Sequence, residues 1–92
     1  MNFDWDEHKA RSNLAKHGVS FQTATVVFDD PNALVDIDDS DPADERWRII
    51  AIAAADVLLV VYAERDGDVI RIISARKATR HEQDRYYRQA SP

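Results

Sequence analysis

From Ala33 to Ala75 the chain breaks into short apolar stretches divided by acidic or turn-forming residues. Ala33–Ile37, Arg46–Ala53, Val57–Glu64 and Val69–Ala75 each have the length and β-branched content of a strand. Asp38–Asp44, which contains Pro42, is too polar to continue either neighbour and predicts a loop. Arg65–Asp68 reads Arg-Asp-Gly-Asp, and an Asp-Gly pair tolerates the positive φ of a tight hairpin turn. The flanking segments change period. Asp4 followed by Glu7 suits a capping box, Ala10 and Leu14 are spaced for one helix face, and Gly18 suits a left-handed stop, predicting a helix from Trp5 to His17. Ser20 caps a second helix on which Phe21, Ala24, Val27 and Phe28 recur; Pro31 ends it and biases Asp30 away from helical geometry. Thr79 and Glu82 form another capping box, opening a last helix that runs to about Arg88. The expected fold is a single α+β domain over residues 1–92. It has two N-terminal helices, a four-stranded, mainly antiparallel meander sheet and a C-terminal helix, with the helices on one face.

A two-residue turn at Asp66 and Gly67 would pair Arg65 with Asp68 and set Tyr62 opposite Arg71. Val57, Leu59, Val61, Ala63, Ile70, Ile72 and Ser74 then line the face expected to meet the helices. Tyr62, Glu64 and Arg71 fall on the other, and Arg46 and Arg48 share one face of their strand. A sheet surface offering Arg46, Tyr62 and Arg71 has the parts to bind a phosphate and to stack on a base or move a proton. The same pair also serves as a plain cross-strand contact. Arg76 falls on the opposite alternation from Arg71, so both reach one phosphate only if the strand bends or ends before Arg76.

Composition narrows the classes. With 92 residues, 45 % hydrophobic and 32 % charged, the chain suits one globular domain with one core. The longest apolar run, Ile49–Ala55, is far short of a membrane span, and no basic-then-apolar leader is visible. The absence of cysteine excludes disulfides and thiolate metal sites and fits a cytoplasmic protein. His8, His17 and His81 lack the spacing of a metal site, so no metal or other cofactor is expected. Gly18 and Gly67 are the only glycines, too few for a phosphate loop. A net charge of −5 argues against a nonspecific nucleic-acid binder. The distribution says more than the total: Asp29–Glu45 holds eight acidic residues and no basic one, whereas residues 65–92 hold seven Lys or Arg against four acids.

Phe3–Phe21, the Asp29-Asp30-Pro31 helix end, Glu45-Arg46-Trp47, Val60–Arg65 and Arg71–Tyr87, taken together and in this order, resemble the BrnT family of toxins from type II toxin–antitoxin systems. The resemblance implies a RelE-like fold and a metal-independent ribonuclease that arrests translation. It also implies a BrnA-like antitoxin with a ribbon-helix-helix part, which neutralises the toxin and carries the complex to promoter DNA. The chain departs from the family where a glycine is expected after the Glu-Arg-Trp strand opens; Ala51 or Ala53 stands there. If that glycine admitted RNA to the backbone, activity would fall.

Cleavage without metal uses the 2′-hydroxyl of the RNA as nucleophile. It needs a base, a cation for the developing charge and an acid for the leaving oxygen. The positions matching the resemblance are Arg71 and Arg76 for the scissile phosphate, Arg46 beside them, and Tyr62 as acid, base or stacking group. His17 is the histidine inside the matching motif and a candidate for proton transfer, although a His before a helix-ending Gly also suits plain capping. Lys9 and Lys16, two turns apart on one helix, together with Arg48 and Arg80, are the cations expected to meet RNA or solvent. Trp5 and Trp47 read as packing residues, and of Tyr86 and Tyr87 only one can be buried. The alternative function is a non-catalytic module that binds a protein and modulates its DNA binding, motivated by the acidic balance and the missing glycine.

Overall fold

The computed structural model describes residues 1–90. In chain order the elements are β1 (Asn2–Asp4), α1 (Glu7–His17), α2 (Phe21–Ala24) running into a 3₁₀ turn (Thr25–Asp29), β2 (Leu34–Asp38), β3 (Arg46–Ala53), β4 (Asp56–Arg65), β5 (Val69–Lys77) and α3 (Arg80–Ala90). The sheet has five strands in the order β1-β5-β4-β3-β2, antiparallel except for β1, which runs parallel to β5. The expected four-strand meander is therefore a mixed sheet with one added edge. β1 escapes the sequence pattern because three residues carry no alternation and no turn links them to their partner. The Met1 amino group lies 3.4 Å from Asp68, and the Asn2 N–H donates to the Asp68 carbonyl at 3.1 Å, tying the edge to the hairpin turn.

Asp4 consequently does not cap α1. Asp6 does, its carboxylate accepting from the His8 N–H at 3.2 Å. The other signals hold: Gly18 takes φ +71° and donates to Leu14, Ser20 accepts from the Thr23 N–H, and Thr79 and Glu82 exchange reciprocal bonds of 2.8 and 3.2 Å. The long second helix is shortened to one turn plus the 3₁₀ segment, since Thr25, Val26 and Val27 are β-branched.

Helices cover both faces, not one. α1, α2 and the 3₁₀ turn close a core of Phe21, Ala24, Val27, Ile49, Ala51, Leu58, Val60, Tyr62, Ile70, Ile72 and Ala75. α3 closes a smaller one of Ile50, Val57, Leu59, Ala78 and Tyr86. Burying a side chain such as Phe21 fully is worth about 1.5–3 kcal/mol. Leu14, expected in the packed stripe of α1, is half exposed; the residue α1 buries is Asn13.

The hairpin also departs from its expected register. Arg65 pairs with Val69, leaving Asp66, Gly67 and Asp68 as a three-residue turn in which Gly67 and Asp68 have φ +79° and +62°. Tyr62 pairs with Ile72 and Val61 with Ser74, so Ile73 is an extra residue, a β-bulge.

Two side chains join the layers. Asp30 accepts from the Ile52 N–H at 2.9 Å and from the Tyr86 hydroxyl, linking the first helical layer to β3 and α3. Burial raises the Asp30 pKa, but the bonds from Ile52, Tyr86 and Asn32 outweigh it and hold the carboxyl below its ordinary value. Burial and the Asp30 partner push the Tyr86 phenol up to about 12. Tyr87, beside it, is half exposed.

Asn13 is the second tie. Its side chain donates to the carbonyls of Ala75 (2.8 Å) and Val19 (3.0 Å) and accepts from the Ala75 N–H (3.1 Å). Asn13→Ala leaves these buried backbone groups unpaired and is expected to cost about 2–4 kcal/mol. Urea unfolding of the variant checks this; a loss under 1 kcal/mol would show that water replaces the amide.

Candidate active site

β5 organises the site, and its bulge decides which side chains meet. Before the bulge Arg71 pairs with Ala63; after it Ser74 pairs with Val61 and Arg76 with Leu59. All three partners alternate on the α3 face of β4, so the extra Ile73 brings Arg71, Ser74 and Arg76 onto one face. Arg48 on β3 opposes Val61 and shares that face, as does Arg46 two residues away. α3 covers only part of it, over Ile50, Val57 and Leu59. The bulge thus interrupts the alternation before Arg76, and Arg71 and Arg76 come to share a face.

Each of the three expected phosphate-binding arginines already holds a carboxylate. Arg46 Nε lies 3.1 Å from Asp44, with Asp41 at 3.8 Å. Arg71 reaches Asp4, its parallel-strand neighbour, at 3.2 Å, and both side chains are substantially exposed. Arg76 makes a two-pronged pair with Glu82, 2.8 and 3.0 Å, and also donates to the Lys77 carbonyl at 3.2 Å. The Glu82 hydrogen bonds raise the Arg76 pKa against the effect of burial. Arg48 is half buried and has no carboxylate within 4.0 Å among the described residues.

Tyr62 is elsewhere. It lies on the opposite face, 7 % exposed, with its ring edge-on to Phe28 at 4.9 Å. Burial first, and Glu64 second, push its phenol above the ordinary value, so it keeps its proton at neutral pH. The expected Tyr62–Arg71 pairing rested on a two-residue turn; the third turn residue moves the register by one and turns Arg71 over. Trp5 and Trp47 pack against the core, as their sequence contexts suggest. Ala51 and Ala53 are buried at 0 % and 2 %, so the glycine departure alters core packing and not a surface that RNA touches. Arg80 is 92 % exposed, paired loosely with Asp84 on α3.

Lys9, Lys16 and His17 line a groove of about 260 Å³ between α1 and the bulge, whose wall includes Ile73 and Ser74. Ser74 belongs to this groove and also to the arginine face. The bulge is the feature sequence reasoning missed. A lone Ile in an apolar strand leaves no local signal, and only the conflict between Arg71 and Arg76 pointed to it. No group of three or more His, Cys, Asp or Glu is placed to hold a metal ion among the described residues. No helix among them is long and apolar enough to cross a membrane.

A family model described as the ribonuclease toxin BrnT of type II toxin–antitoxin systems matches residues 5–82. The chain belongs to the BrnT family. The crystal structure of the Brucella abortus ribonuclease toxin BrnT superposes with a TM-score of 0.70 at 25 % identity, covering 87 % of this chain and 99 % of that one. No curated protein matches. As a BrnT-family toxin, the chain has an antitoxin as partner and RNA as substrate.

The Arg76–Glu82 pair has a pH signature. Its bonds, led by that from Arg76 and opposed by burial, lower the Glu82 pKa from 4.5 to about 2. A carboxyl depressed by folding stabilises the protein above its unfolded value and loses that contribution as pH falls toward the folded value. Unfolding free energy should therefore drop between about pH 5 and pH 2, by on the order of 1–2 kcal/mol from this group after solvent screening of the Arg76 head. Glu82→Gln should flatten that part of the profile, and an unchanged slope would place the acid sensitivity elsewhere.

Proposed function

We propose that this chain is a metal-independent endoribonuclease toxin that cuts RNA through Arg71 and Arg76, needs no cofactor, and is neutralised by a BrnA-like ribbon-helix-helix antitoxin. What supports the reading is the bulge at Ile73, which puts two arginines and Ser74 on one open face of a family member. The 2′-oxygen attacks phosphorus and loses its proton to a base. The bond to the 5′-oxygen breaks as an acid protonates it, and a cyclic phosphate remains. Acid–base help is worth about 10²–10⁴-fold, and fixed cations facing the developing charge add several kcal/mol.

The two arginines divide the work. Arg76, gripped by Glu82 and the Lys77 carbonyl, is held in place with N–H groups to spare. Arg71 is tied only to a half-exposed Asp4, a pair worth little in water, so a phosphate displaces it readily. Arg46 and Arg48 extend the positive face along β3. His17 is the proton-transfer group on the helix side of Ser74, while Tyr62 is left out of the chemistry. The site of action is the cytoplasm, and promoter DNA is met only through the antitoxin.

A non-catalytic module remains the second reading, favoured by the pairing of Arg46, Arg71 and Arg76 with carboxylates in the free chain. Induced expression separates the two. Wild type should arrest growth with RNA breakdown, and Arg71→Ala or Arg76→Ala should lower cleavage by at least 10²-fold while the Arg71 variant keeps its melting temperature. Purified protein freed of antitoxin that cuts no RNA would leave the binding-module reading standing.

A further inference from the structure

The groove between α1 and the β5 bulge presents several basic groups together with no acidic residue in its lining. His8, Lys9, Ser12, Lys16, His17 and Ser74 line it, and no carboxylate does. The chain has 17 acidic residues against 12 Lys and Arg, so such a concentration runs against its composition. Lys9 and Lys16 have no carboxylate partner within 4.0 Å among the described residues, whereas Arg46, Arg71 and Arg76 all do. The two lysines are seven positions apart, about two turns and some 10 Å along one face of α1. The floor between them is fixed, because Asn13, which also borders the groove, is bound at both ends of its amide to Ala75.

We infer that this groove is a second phosphate site, in which Lys9, Lys16 and the hydroxyl of Ser12 hold the backbone phosphate next to the scissile one in a single-stranded RNA, leaving His17 and Ser74, which also line the groove, to serve the scissile phosphate. The inference rests on the ribonuclease reading for the identity of the ligand. Ser74 supplies the continuity: it borders the groove and stands between Arg71 and Arg76 on the sheet face, so one strand can leave the groove and cross the arginines. Phosphates outside the reacting bond give register and affinity beyond what the two arginines supply at the reacting one. Two ammonium groups with no competing carboxylate are available to an incoming anion without an exchange of partners.

The test uses the full chain freed of antitoxin and a fluorescent 2′-O-methyl RNA oligonucleotide, which binds but cannot be cut. Lys9→Ala/Lys16→Ala should weaken binding on the order of tenfold at low salt. It should also make the dependence of log K on log salt shallower by about 0.7, the value for one phosphate contact on a single strand. Arg11→Ala, on the same helix but bordering a different hollow with Glu7 and Leu14, is the control and should change neither. Both lysines are exposed, so the melting temperature should not move. Unchanged affinity and salt slope in the double variant would overturn the site, as would displacement of the oligonucleotide from wild type by an acidic peptide but not by inorganic phosphate. A wild type that binds with the expected slope yet cuts no RNA would keep the phosphate site while removing the ribonuclease reading.

Discussion

The fold depends on what one amide does at an unfinished strand edge. β1 pairs with β5 only as far as Arg71, and beyond it the outer edge of β5 has no strand beside it. Asn13 closes that edge at Ala75, meeting both the N–H and the carbonyl as a neighbouring strand would, and reaches the Val19 carbonyl as well. Tyrosines apart, it is the one buried polar side chain among the described residues, so its bonds form where water cannot compete. The pairing fixes α1 against the sheet at the level of the bulge. Both walls of the lysine groove, with His17 on one and Ser74 on the other, follow from it.

Local chemistry was legible in the sequence; relations between distant segments were not. Ser20, Gly18 and the Thr79–Glu82 box act through bonds closed within three or four residues, and those bonds are where the residue types say they should be. β3 runs over the expected Arg46–Ala53, because its alternation and length leave little choice. β1 was hidden because its partner is nearly seventy positions away. Asp4 shows the ambiguity directly, since a carboxylate before an apolar run suits a cap and suits a salt bridge to Arg71 equally well. Tyr62 was misplaced by one turn residue, the smallest error that reverses a face.

The arginines of the candidate face could be named from the sequence, but not how the strands arrange them. The arginines of β3 and β5 do share a face, and Ile73 is the reason, since removing the bulge would return Arg76 to the side of Tyr62. The tyrosine that seemed the natural partner of Arg71 serves the core instead, edge-on to Phe28. Strand bulges near functional residues commonly re-aim side chains, and this one does so at the cost of one ladder position.

Charge then explains why an acidic chain can hold so many cations at one corner. Arg46, Arg71 and Arg76 are each neutralised by a carboxylate from a neighbouring loop, strand or helix turn, so the free chain carries no uncompensated cluster of guanidinium groups on its sheet. The pairs differ in strength with their exposure. Asp4 and Arg71 meet in the open, where the attraction is screened; Glu82 is largely enclosed and anchored by the Thr79 N–H as well. This face therefore carries one arginine that is loosely paired and one that is held in position. The acidic partners therefore do unlike things: Glu82 fixes the direction of one guanidinium, whereas Asp4 leaves the other nearly free to exchange its partner with solvent.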